Sequence, residues 1–248
     1  MTDSLSLTNQ VAVITGAGRG IGKAIALAYA EAGAAISCAA RTQTEIEQTA
    51  AQIEACGGRA IAVPTDVRDM AAVDRLMAQT VEQLGGIDIL VINAGINLDR
   101  NPIAESIPTE WRATMEVNLF GPYYCARAAI PHLRARGGGK IIIVGSGMGH
   151  RGSAGNSAYC ISKAGVWMLT QVLAQEVWPD KISVNELIPG PVDTSMTTND
   201  QARAGVAFAT SSEWIKQPAD VAPLALFLAT QPDVGPTAQS FSLMRRAN

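Results

Sequence analysis

Six apolar runs of strand length recur along the chain with helix-length segments between them: VAVIT (11–15), AISCAA (35–40), AIAVP (60–64), IDILVI (87–92), KIIIVG (140–145) and ISVNELI (182–188). Alternation of this kind directs a chain toward parallel strands joined by crossover helices. Runs such as Ile141-Ile142-Ile143-Val144 offer no polar face to water, so helices must cover the sheet on both sides. The expected fold is α/β, a doubly wound parallel sheet of the Rossmann-like kind with about seven strands. The seventh would come from TAQSFSL (237–243).

A chain of 248 residues suits one large core, so a single domain over 1–248 is expected. Ser106 and Pro108 ahead of TEWRATM read as a helix start, and the glycines at 57–58, 85–86 and 137–139 as helix ends. Between Pro189 and Pro218 the text turns polar and short-patterned, which suits a substrate flap at about 190–217.

With a formal net charge of -3 and a pI near 5.4, the chain has no basic surface to offer nucleic acid or an anionic membrane, so small molecules are the expected partners. The N-terminal MTDSLSLTNQ lacks a basic-then-apolar pattern, and no run approaches the ~18 apolar residues that span a bilayer, so a cytoplasmic location is expected. Cys38, Cys56, Cys125 and Cys160 are scattered without a C-x-x-C pair, which favours reduced thiols and no metal centre.

The first strand runs into TGAGRGIG, Thr15 to Gly22, and then into an apolar helix pattern. A glycine-rich turn there lets backbone N–H groups face a pyrophosphate at a helix N-terminus, so Gly16, Arg19, Gly20, Ile21 and Gly22 are expected to hold a dinucleotide. The spacing Gly16-x-x-x-Gly20-x-Gly22 does not contain G-x-G-x-x-G. In NAD sites a carboxylate at the end of the second strand bonds the ribose 2′-hydroxyl. Here that strand ends Ala39-Ala40-Arg41-Thr42, with no acid between Glu31 and Glu45. Arg41, helped by Arg19, would instead neutralise a phosphate of about -1.5 to -2 charge, so NADP(H) is expected in preference to NAD(H). A solvated loop arginine is the plain alternative.

YCISK places Tyr159 and Lys163 four residues apart at a helix start, on one face. A free tyrosine has a pKa of ~10. A neighbouring ammonium favours the phenolate, so such a pair can exchange a proton with a carbonyl oxygen. Taken alone, the pair is more often structural than catalytic.

TGAGRGIG, NAG at Asn93 to Gly95, Ser146, YCISK and the Pro189-Gly190 pair occur together and in order. From about Leu7 to about Leu228 the chain resembles the short-chain dehydrogenase/reductase family. That resemblance implies a strand order of 3-2-1-4-5-6-7 and a catalytic set. Tyr159 would be the general acid, Lys163 its electrostatic partner and ribose ligand, Ser146 the hydroxyl that positions the carbonyl, and Asn118 a helix-distorting residue that holds a relay water. It also implies cofactor contacts from Asp66 and Val67, from Asn93, Ala94 and Gly95, and from Pro189, Gly190, Val192 and Thr194. A homo-oligomer, dimer or tetramer, is implied as well, with the helices near 109–135 and 158–177 as a dimer face.

The activity this implies is reversible reduction of a ketone or aldehyde to an alcohol by hydride transfer from NADPH. The alternative within the family is a 3-oxoacyl-[acyl-carrier-protein] or acyl-thioester reductase. Relatives of that kind commonly dock their acidic carrier with arginines, whereas Gly137 and Asp180 fall at those places here, with Arg134, Arg136 and Lys181 nearby. A non-catalytic NADP-binding sensor is a second alternative. A serine hydrolase is disfavoured because Val144 and Met148, not glycines, stand two residues either side of Ser146. With only His132 and His150, a zinc dehydrogenase is disfavoured too.

Overall fold

The computed structural model describes residues 5–197 and 214–244. Seven strands, β1 (Val11–Thr15), β2 (Ala35–Ala40), β3 (Arg59–Pro64), β4 (Ile89–Ile92), β5 (Gly139–Val144), β6 (Ile182–Ile188) and β7 (Ser240–Ser242), form one sheet in the order β3-β2-β1-β4-β5-β6-β7. All neighbouring pairs are parallel. The order reverses where β1 lies between β2 and β4, and sheets of this kind bind ligands at such a switch point, beyond the carboxyl ends of the strands.

Successive strand residues serve opposite faces, as a two-residue period requires. Val13, Leu90, Ile141, Ile143 and Val184 belong to one buried cluster, while Ala12, Ile14, Val91, Ile142 and Leu187 belong to another. The first is closed by α3 (Met70–Leu84), α5 (Gly121–Arg136) and α6 (Ser157–Val177). The second is closed by α1 (Gly20–Glu31), α2 (Gln43–Ala55) and α7 (Ala222–Ala229). Each fully buried isoleucine contributes roughly 1.5–3 kcal/mol of transfer free energy, so burial from both sides sustains even the four-residue β4.

Several helix limits follow local chemistry. The Asp69 carboxylate caps α3 by accepting from the Ala71 N–H at 2.9 Å, and Gly85, with φ of 95°, ends it in the left-handed region. Pro108 opens α4 (Pro108–Met115), as its missing N–H allows. Ser106 does not cap that helix: it stands one residue too early, behind Ile107, and closes a short turn at Ile103–Glu105 instead. The C-terminal pairing is longer than β7 itself, since Ala238 N–H donates to the Val184 carbonyl at 2.8 Å and Leu243 N–H to that of Ile188 at 2.9 Å. No helix among the described residues is long and apolar enough to cross a membrane.

Candidate active site

At the nucleotide end, β1 passes through Gly16, with φ of 70°, into α1, whose first turn has no side-chain cap. Two close approaches make the turn possible. A Cβ at Gly22 would run into the Gly16 carbonyl and the Asn93 amide, and one at Gly16 would lie 2.7 Å from Asn93 Nδ2. Asn93 braces this turn: its Nδ2 donates to the Thr15 carbonyl at 3.0 Å, and its backbone N–H donates to Thr15 Oγ1 at 2.9 Å. The result is a concave run of backbone at an open helix N-terminus, which suits a pyrophosphate, so these residues fit a dinucleotide.

The region beyond β2 and β3 carries more charge than the motifs indicate. Arg41 is exposed at the end of β2. The Asp66 carboxylate is gripped by the Arg68 guanidinium, with Nη2 at 2.6 Å, and accepts from the Arg68 N–H at 3.0 Å. The Arg68 hydrogen bond holds the Asp66 carboxyl below its ordinary range, and the charges of Arg68 and Arg41 act in the same direction. Arg19 is not a free cation, because Nη1 donates to Glu45 Oε1 at 2.9 Å. Glu45 lies in the first turn of α2, outside the strand end where a ribose-binding acid is sought, yet the fold carries it back against the glycine turn. Arg68 escaped the sequence reading, and Glu45 entered it only as the end of the acid-free stretch, since neither position carries a motif.

At the chemical end, Tyr159 and Lys163 lie in the first two turns of α6, with Lys163 Nζ 5.8 Å from the Tyr159 ring centroid. Lys163 is buried, and its Nζ donates to the Val144 carbonyl at 2.8 Å. Burial lowers its pKa from 10.5 to about 8, opposed by the negative charge of Glu186. Asn118 sits in a π-helical segment, Glu116–Phe120, between α4 and α5. Such bulges are frequent at functional sites. Its buried amide clamps Ile96 in both directions, accepting from the Ile96 N–H at 2.8 Å and donating to the Ile96 carbonyl at 2.7 Å, and Nδ2 also reaches Ser162 Oγ at 3.2 Å.

Gly95 closes the space between these groups: a Cβ there would lie 3.4 Å from Asn118 Oδ1 and 3.9 Å from Lys163 Nζ. Ser146 begins the turn that leaves β5, where its Oγ accepts from the Met148 N–H at 3.2 Å. The turn rests on α6, because a Cβ at Gly149 would meet the Lys163 backbone at 2.7 Å. The fold thus gathers Asn118, Lys163, Tyr159 and the Ser146 turn at the carboxyl ends of β4 and β5.

Beyond β6, Pro189 is buried, and Val192 forms an isolated parallel bridge with Lys216. Thr194 reaches back over the glycine turn, its Cγ2 lying 3.5 Å from where a Gly20 Cβ would be. The greater part of the segment read as a flap, 198–213, lies outside the described residues. The sequence reading also missed Met244, whose side chain lies against Gly147 and Gly190 and so links the serine turn to the Pro189-Gly190 loop. Only the pairing of β7 with β6 delivers it there.

A parallel sheet with a glycine-rich first turn, a buried lysine four residues after a tyrosine and a serine after β5 is the arrangement of a dinucleotide-dependent oxidoreductase. The chain belongs to the short-chain dehydrogenase/reductase family: the family model described as short chain dehydrogenase matches residues 10–205. It is 37% identical to a 3-oxoacyl-[acyl-carrier-protein] reductase of Synechocystis sp., over 96% of each chain. It is 34% identical to a meso-2,3-butanediol dehydrogenase of Serratia marcescens, over 90% of this chain and 88% of that one. A dehydrogenase/reductase of known structure from Sinorhizobium meliloti superposes with a TM-score of 0.86 at 36% identity, covering 97% of this chain and 95% of that chain.

Proposed function

We propose that this oxidoreductase reduces a ketone or aldehyde to an alcohol, reversibly, with NADP(H) in preference to NAD(H). The observation that carries the reading is the buried Lys163 ammonium on the same helix face as Tyr159, beside the serine turn. When bound, the reduced dinucleotide supplies the hydride that goes to the carbonyl carbon. Tyr159 then gives its phenolic proton to the carbonyl oxygen, and Lys163 stabilises the phenolate left behind. Ser146 donates to the same oxygen as negative charge develops on it. Asn118 keeps the Ile96 backbone and the π-helical turn in place, and holds the relay water that returns a proton to the pair. On the cofactor side, Gly16, Gly20, Ile21 and Gly22 take the pyrophosphate, and Lys163 the ribose. Asp66, Val67, Asn93, Ala94 and Gly95 line the adenosine side, and Pro189, Gly190, Val192 and Thr194 the nicotinamide.

The preference for NADP rests on Arg41 and on the lack of an acid at the end of β2. Arg19 adds less than its position suggests, because Glu45 already holds it. A cytoplasmic homo-oligomer goes with this reading. Phe120, Tyr123, Ile161, Met168 and Val172 leave apolar surface exposed on and beside α5 and α6, which favours a subunit contact there.

The second reading is reduction of a 3-oxoacyl thioester, favoured by the Synechocystis relative's name. Against docking of an acidic carrier, Arg134 is paired with Asp180 at 2.7 Å and Arg136 with Asp88 at 2.7 Å. The test follows loss of nicotinamide absorbance from NADPH and NADH with a simple ketone, a diketone and an acetoacetyl thioester. Faster loss of NADPH with a free ketone is expected. Activity with the thioester alone would select the second reading, and binding without turnover would select a sensor.

A further inference from the structure

Glu186 is the least expected residue of the sheet. It lies in the middle of β6 with no solvent exposure, and its carboxylate reaches toward the serine turn. Oε2 is bonded twice, by Ser240 Oγ of β7 at 2.5 Å and by His150 Nε2 at 2.8 Å. Among the described residues Oε1 has no hydrogen-bond partner. It occupies the space that a Cβ at Gly145 would need. A buried carboxylate with an unsatisfied oxygen is destabilising, and a well-packed apolar side chain would serve the core better. His150 ends the turn that carries Ser146, and its ring lies 5.3 Å from that of Trp167 on α6.

We propose that Glu186 is a positioning residue of this site: through His150 it holds the Ser146–His150 turn, and it presents a buried negative charge to Lys163. The role rests on the reductase reading above. Among the described residues, the charged or titratable groups near Glu186 are His150, bonded to it from the serine turn, and Lys163 on α6, whose Nζ bonds the carbonyl of Val144, the neighbour of the Gly145 against which Glu186 Oε1 lies; β5 and β7 present Gly145 and Ser240, which carry no charge. Lys163 itself faces the Tyr159 ring as well. Desolvation drives Lys163 toward the neutral amine, and the Glu186 charge opposes that loss. A neutral amine would stabilise a Tyr159 phenolate far less than an ammonium. One carboxylate therefore links the donor that orients the carbonyl to the cation that tunes the acid.

The test uses the full chain and the pH dependence of NADPH affinity in the binary complex, followed by cofactor fluorescence, with Lys163→Met as the reference that lacks the lysine titration. Glu186→Gln keeps the shape and an accepting oxygen but removes the charge. Its alkaline limb should move down by about one pH unit. Glu186→Asp retains the charge on a shorter arm: its limb should stay in place while kcat for the ketone falls roughly tenfold through misplacement of the turn. His150→Asn should likewise lower kcat without moving the limb down. A Glu186→Gln limb at the wild-type pH, or a downward move in His150→Asn, overturns the assignment. NADPH binding needs no carbonyl substrate, so failure of the ketone reading appears separately, as a wild-type protein that binds NADPH and does not consume it.

Discussion

Replacing Lys163 with methionine should make the protein more stable near neutral pH and inactive, and the gain should vanish in alkali. The folded pKa of Lys163 is about 8 against 10.5 for the free side chain. At about 1.4 kcal/mol per pH unit, that difference is a penalty of about 3 kcal/mol for carrying the buried ammonium. Because the folded pKa is depressed, the unfolded chain binds the extra proton between pH 8 and 10.5. The penalty is complete below pH 8, shrinks as pH rises through that window and is absent above it.

Methionine matches the length of the aliphatic stem and removes the charge. It also leaves the Val144 carbonyl without the 2.8 Å bond from Nζ, a loss of about 1 kcal/mol. The expected net gain near neutrality is therefore about 2 kcal/mol, turning into a small loss in alkali. Urea unfolding of both proteins across a pH series measures it directly. A stability difference that does not change with pH would refute the reasoning, as would a variant less stable than wild type near neutrality. Either would mean that burial of this cation is not what lowers its pKa.

Tyr159→Phe should abolish turnover while NADPH affinity, measured by calorimetry, changes little. Arg41→Ala should weaken NADPH roughly tenfold, the value of one charged hydrogen bond, and leave NADH nearly unchanged. Glu45→Gln releases Arg19 from its 2.9 Å pair, so NADPH should bind a few-fold more tightly. That gain should disappear when Arg19→Ala is added. Gly22→Ala places a methyl against the Gly16 carbonyl, so dinucleotide affinity should fall by roughly a hundredfold or more, read by cofactor fluorescence.

Strand and helix positions were legible because they depend on local composition. VAVIT, AISCAA and ISVNELI coincide with β1, β2 and β6, since a strand covered on both faces must be apolar at nearly every position. β4 starts two residues later than its apolar run, because Ile87 and Asp88 precede the first paired residue. Ile87 is apolar for burial alone. The order of the sheet followed from the family resemblance rather than from any single run.

Within the candidate site, the glycine turn and the Tyr159–Lys163 pair were legible because each is a short segment whose chemistry depends on spacing along the chain. Glu45 against Arg19, Asn93 as a brace for the turn, Met244 against Gly147 and Gly190, and the Glu186–His150 pair were not. Each joins residues far apart in sequence, 26 apart for Arg19 and Glu45 and 36 apart for His150 and Glu186. None of these residues differs in type from an ordinary surface or loop residue. By itself the sequence determined the layered parallel fold, the glycine-rich turn after the first strand and the pairing of a phenol with an ammonium on one helix face, all of which rest on periodicity and short spacing. Only the tertiary structure decided which charges those groups face, because burial and through-space distance, not position along the chain, set the strength of an electrostatic contact.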